Sequence, residues 1–272
     1  MVAAGAPAAV VLRRGPTGWW HLLHWDLARL TLTGGAWFHG TLYPRRCDIS
    51  PDGRLLGYFA RKANAAGPPW PGTYFAVSRP PWLEALAAWE TCGTWTWGCQ
   101  FSADGALAIC ACLRDQPFHG SYPRPVAILP MRVDWPQRDL WNEVKRGWQC
   151  AGEGDPAAAL AAPPDLVMRR EPPGGGGGVT LGLLHRGVDF AHGGMEGVQV
   201  EYFLQHQPGD VTPLAAAAWA DWDHQGRLLM ATREGTLEVL QRDGARFQRI
   251  WWEDLRGLTP QPEPAPAWAG RW

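Results

Sequence analysis

One short unit recurs along the chain and restricts what it can fold into. Ile49-Ser50-Pro51-Asp52-Gly53-Arg54-Leu55 returns as Phe101-Ser102-Ala103-Asp104-Gly105-Ala106-Leu107, and again as Trp222-Asp223-His224-Gln225-Gly226-Arg227-Leu228. The unit has a local mechanism. Pro51 presets φ at the first central turn position, Asp52 suits the next, and Gly53 supplies the left-handed residue that closes the loop with a bulge. The Ser50 hydroxyl can bond the turn backbone ahead of it. Each copy therefore predicts a β-hairpin. The strand leaving each hairpin is almost continuously apolar: Leu55 to Ala60, Leu107 to Cys112 and Leu228 to Ala231. Strict alternation would leave one face wet, whereas a continuous run implies cover on both faces. A sheet stacked between two other sheets meets that requirement.

The first two turn glycines are 52 residues apart, and the third follows after 121. The second gap is close to twice a slightly longer unit, so one decayed copy is expected between Asp165 and Gly178, around the five-glycine run. Further strands are expected at Thr73 to Ser78, Val126 to Met131, Val179 to Leu184, Val198 to Leu204, Thr236 to Leu240 and Phe247 to Trp252. Near the start, Ala9 to Arg13 and Trp19 to Trp25 flank a Gly/Pro turn. Leu83 to Trp89 fits a strand or a helix face, and the repeat register favours a strand. Asp139 to Trp148 reads as a short helix.

Strands at this density with a period near 50 point to four-stranded blades around an axis. The turn leading into an apolar strand resembles the blade motif of TolB-like and WD40-like β-propellers over roughly residues 45–255. That resemblance implies an all-β, single-domain propeller over 1–272, with five four-stranded blades as the first reading and four as the alternative. The regular Gly-His to Trp-Asp frame of a true WD40 array is absent. The best closure joins residues 8–33 to the C-terminal segment, reached through a Pro-rich return path at 258–272. A Gly/Ala/Pro-rich loop or insertion is expected at 150–178.

Twenty-five basic against 26 acidic side chains leave a net charge of −1, which argues against nucleic acid held by a basic field. No apolar run approaches the roughly 18 residues of a membrane span. The N-terminus lacks a basic region ahead of its apolar stretch, so it reads as mature protein in the cytoplasm. Lys62 and Lys145 are the only lysines, an Arg bias typical of GC-rich bacterial genomes. Six cysteines are too few for a disulfide framework, and none has C-x-x-C spacing. Cys110 and Cys112 would share a strand face, but small buried thiols explain them as well. His21 and His24 fall on opposite faces of a strand and cannot share an ion. No metal or cofactor is expected.

No G-x-S-x-G elbow is present, and two of the four serines sit in the repeated turns. Asp221 and Asp223 could form a glycosidase-type carboxylate pair, or one could build the turn while the other lines the axis. The aromatic excess is the stronger signal, with 18 Trp in the chain. Trp89, Trp95 and Trp97 precede the second hairpin. Packing between blades uses such residues, and some can project to bind sugar rings or partner side chains. Arg45 and Arg46 are expected to enter the first inner strand beside Asp48. The candidate binding set is Arg45, Arg46, Asp48, Trp95, Trp97, Asp221 and Asp223, with no catalytic residue. The leading expectation is a non-catalytic scaffold for a protein partner. The alternatives are a small anionic or glycan ligand at an axial mouth and, third, a propeller hydrolase or lyase.

Overall fold

A computed structural model describes residues 1–62, 71–113, 116–130, 140–151, 166–175, 178–189, 197–206, 209–244 and 246–272. The fold is all-β with several sheets. The chain divides into two compact units, Met1–Asn142 with Thr259–Trp272, and Glu143–Leu258.

In the first unit, β1 (Ala8–Arg14), β2 (Trp19–Asp26) and β3 (Thr31–His39) form an antiparallel meander. A larger sheet follows from β4 (Thr41–Leu42), β5 (Asp48–Ile49), β6 (Leu56–Arg61), β7 (Thr73–Ser78), β8 (Ala85–Phe101), β9 (Leu107–Leu113), β10 (His119–Gly120) and β11 (Val126–Leu129). Its order is β11-β9-β8-β7-β6-β4, with β5 also on β6 and β10 on β8. The expected strand at Leu83 to Trp89 is the start of β8, which runs on for 17 residues. Its first part pairs with β7 and its last part with β9, so one strand serves two sets of partners.

The alternation of side chains along β6 and β7 explains their continuous apolar runs. Leu56, Tyr58, Ala60, Tyr74 and Ala76 pack with Val10, Trp20 and Leu22 of the first meander. Phe59, Phe75 and Val77 point the other way and pack with Trp89, Phe101, Leu107 and Ile109. Both faces are covered, as period-2 geometry requires of such a strand. Phe59 and Phe75 are buried with ring centroids 5.0 Å apart. Each such ring contributes about 2–3 kcal/mol by burial.

The repeated units fold as the expected hairpin turns. Gly53, Gly105 and Gly226 have φ of 74°, 80° and 70°. Each donates its N–H to the first turn residue, Gly53 and Gly105 at 2.9 Å and Gly226 at 3.1 Å. The Ser50 hydroxyl accepts from the Leu55 N–H at 2.9 Å and donates to Asp52 Oδ1 at 2.6 Å. In the third copy Asp223 stands where the serine was. Its Oδ1 accepts from the Gln225 and Arg227 N–H groups, both at 2.9 Å.

The second unit holds two sheets. One has the order β12 (Gln149–Cys150), β13 (Leu166–Arg170), β14 (Val179–Val188), β15 (Val198–His206) and β16 (Val211–Pro213). The other has β17 (Ala217–Trp222), β18 (Leu228–Thr232), β19 (Thr236–Asp243) and β20 (Arg246–Asp254). All their pairings are antiparallel. The short helix α1 (Trp141–Lys145) lies within the expected 139–148 window. A hairpin joins β13 to β14 where the decayed turn was expected. Gly174 has φ of 83° there, and it precedes Gly226 by 52 residues, the interval that separates Gly53 from Gly105. Most of the loop expected at 150–178 lies outside the described residues.

The expected pairing of residues 8–33 with the C-terminal segment is not formed. The β1–β3 sheet contains N-terminal residues only, and Thr259–Trp272 supplies no strand. Pro260, Pro262, Pro264 and Pro266 remove every second N–H, all on one edge of an extended chain, so that edge cannot donate to a ladder. The segment is held instead by Arg79 Nε, which donates to the Arg271 carbonyl at 2.6 Å, and by Trp272 edge-on to Tyr122 at 5.3 Å. Among the described residues no sheet closes on itself.

His21, on β2, is buried and stacks on Trp37 at 4.1 Å. Burial, then the nearby Arg13 guanidinium, pushes its pKa down to about 4, against a weaker opposing hydrogen bond with the Gly35 backbone. The unfolded chain therefore binds a proton first as pH falls. Stability contributed by the neutral ring is complete above pH 6.5 and is lost between 6.5 and about 4. The expected loss is up to about 3 kcal/mol. Urea unfolding across that range should show it, and His21→Phe should flatten the slope; an unchanged slope would contradict the assignment.

Candidate functional site

The register between β8 and β9 breaks around Trp95. Thr91 pairs with Leu113 and Thr96 with Ala111, so five steps along β8 match two along β9. The extra residues leave the sheet as a bulge, the usual way to re-aim a side chain. Gly93 turns the chain with φ of 88°. Thr91 Oγ1 donates to the Gly93 carbonyl at 2.9 Å, and Thr96 Oγ1 donates across to the Cys110 carbonyl at 2.7 Å. Trp95 projects from the bulge and is 71% exposed, the highest value among the large apolar side chains of the described residues.

Arg46 fixes this bulge from below. Pro44 starts a 3-10 turn, Pro44–Arg46, ahead of β5. Arg45 and Arg46 therefore sit in that turn and not in the first inner strand, because Pro44 presets φ for a helical start. Arg46 Nη1 donates to the Thr94 carbonyl at 2.6 Å. Its guanidinium lies 4.7 Å from the Tyr43 ring centroid and 5.6 Å from that of Phe59. Gly98 has φ of 118°, and a Cβ there would come within 2.8 Å of the Arg46 backbone. Only glycine lets the two segments approach this closely.

The neighbouring candidates serve this support. Asn142 Nδ2 donates to the carbonyls of Arg45 at 2.9 Å and Cys47 at 3.0 Å. Asp48 is buried, and its Oδ2 accepts from the Phe101 N–H at 2.8 Å. Trp97 is half-buried. The structure thus brings Arg45, Arg46, Asp48, Trp95 and Trp97 together in the first unit, with Trp95 as the displayed group and Arg46 and Asp48 as supports.

Asp221 and Asp223 belong to the second unit and do different work. Asp221 is buried and pairs with Arg170 Nη1, and it accepts from the Trp222 N–H at 2.9 Å. Burial raises its pKa, while Arg170 and the Trp222 N–H pull it back. Asp223 closes its turn and pairs with Arg227 Nη2 at 2.6 Å. Both carboxylates hold strands and turns, so the carboxylate-pair chemistry considered from sequence has no support here.

Arg169 and Arg170 line a cleft of about 360 Å³ with Gln149, Cys150 and Glu171. Among the described residues no group of three His, Cys, Asp or Glu side chains could hold a metal ion. Cys110 is buried and donates its S–H to the Pro130 carbonyl at 3.6 Å, while Cys112 is exposed. The register break beside Cys112 ends the cover that Cys110 enjoys.

Sequence reasoning missed the bulge. Its signal was Gly93 inside an apolar and β-branched run, since an isolated strand glycine marks a bulge. No family model, no curated protein and no solved structure matches this chain.

Proposed function

We propose that this protein is a non-catalytic scaffold that binds a partner protein through the Trp95 bulge. One observation carries the reading: an indole 71% exposed, on a bulge whose carbonyl is gripped by Arg46. An indole displayed this way gains little from burial within its own chain. With the backbone beside it held by Arg46, less of the segment has to be ordered on docking, and Trp is among the residue types most enriched at interface hot spots.

The supporting architecture is read as a β-propeller. Five groups of strands follow one another along the chain: β1–β3, β4–β7 with the start of β8, the end of β8 with β9 and β11, β12–β16, and β17–β20. The turn glycines introduce four of these groups at intervals that include 52 residues twice. This favours five blades over four. A closed ring would have a radius of gyration of about 19 Å by small-angle scattering. A clearly larger value would mean two units tumbling apart. A cytoplasmic, bacterial setting remains part of the proposal.

The cleft beside Arg169 supports a second reading, a small anionic ligand. Affinity capture of the tagged protein from its native lysate, with mass spectrometry of bound proteins and small molecules, separates the two. The expected result is a stoichiometric protein partner that is lost from Trp95→Ala. A retained anionic metabolite with no such partner would overturn the scaffold reading and move attention to Arg169.

A further inference from the structure

Cys92 and Cys112 face each other across the bulge. They flank the Thr91↔Leu113 pair, each one residue into the register break between β8 and β9. Their sulfurs are 2.8 Å apart, closer than two thiols ordinarily rest, and both residues are exposed. A disulfide has an S–S bond of about 2.05 Å, so the two sulfurs need move less than about 1 Å to bond. The other thiols differ. Cys47, Cys99 and Cys110 are buried, and Cys150 is exposed on the short strand β12.

We propose that Cys92 and Cys112 form a redox site that a low-molecular-weight disulfide oxidises to a cross-strand disulfide. A thiolate of the pair attacks the small disulfide RSSR, forming a mixed disulfide and releasing one RS⁻. The second thiolate then attacks the protein sulfur of that mixed disulfide. The S–S bond to R breaks, the Cys92–Cys112 bond forms, and a second RS⁻ leaves. In sum two protein thiols are oxidised by two electrons, RSSR is reduced to two RSH, and no other oxidant is consumed. The cross-link would add a covalent tie at the Thr91 end of the register break, three residues before Trp95. The proposal rests on the thiol geometry alone and does not depend on the partner reading.

The test uses glutathione disulfide as the probe on the full chain, followed by alkylation and peptide mass mapping. Closure within the protein acts at an effective concentration of about 1 mM or more. Against a probe at about 0.1 mM, closure should outrun a second capture about tenfold. The expected result is a Cys92–Cys112 linked peptide without retained glutathione, while Cys150 in the same sample carries the glutathione adduct. In Cys92→Ser, Cys112 should carry the adduct as Cys150 does, so the variant reports on the pair and not on folding. Glutathione retained on both Cys92 and Cys112, or both thiols still alkylated while Cys150 is modified, would overturn the proposal.

Discussion

Arg227→Met is expected to destabilise the protein by about 3–5 kcal/mol, because it breaks a buried ion pair on one side only. Arg227 is 6% exposed and Asp223 only 2%. Arg227 Nε donates to Asp223 Oδ2 at 2.7 Å and Nη2 lies at 2.6 Å from the same oxygen. Removing the guanidinium leaves a buried carboxylate with its turn N–H groups alone. The repeat supplies the control. The second copy carries Ser102 and Ala106 at the positions of Asp223 and Arg227. Asp223→Ser with Arg227→Ala therefore installs a turn chemistry the chain already uses. Urea unfolding should place the double variant well above Arg227→Met, within about 2 kcal/mol of the starting protein, with a coupling of about 1–3 kcal/mol between the sites. Additive losses would mean that the two side chains act separately.

Trp95→Ala is expected to do the reverse: little to the fold and much to the interface. Surface substitutions change stability by about 0.5 kcal/mol or less. A Trp hot spot costs about 2 kcal/mol or more when truncated, which weakens binding about 30-fold. Buried indoles set the contrast. Trp25 and Trp222 are each 1% exposed, and truncating either should cost about 3–5 kcal/mol of stability. Arg46→Met should fall between, since it leaves Trp95 in place but releases the Thr94 carbonyl that holds the bulge.

What could be read in advance followed from local rules. The Pro-Asp-Gly and related turns announced their hairpins because left-handed glycine and a side-chain acceptor act within five residues. The apolar run after Gly53 announced a doubly covered strand because alternation is a property of the strand itself, whereas the run after Gly105 is fully covered only on its Leu107, Ile109 and Ala111 face, with Cys112 exposed on the other. The β8 bulge was less legible, because its shape depends on Arg46 reaching Thr94 across 48 positions. Residue types alone gave Arg46 a ligand-facing role, where tertiary contacts make it a support. The same holds for Asp221, whose Arg170 partner lies 51 positions away. The C-terminal return failed for a reason the sequence did contain: alternate prolines disarm one strand edge.

The most direct test of the scaffold reading measures unfolding and partner capture on one preparation of Trp95→Ala beside the unsubstituted protein. The expected result is an unchanged urea midpoint with partner capture reduced about 30-fold. Capture at full strength from a normally folded Trp95→Ala protein would contradict the claim that this indole is the docking group.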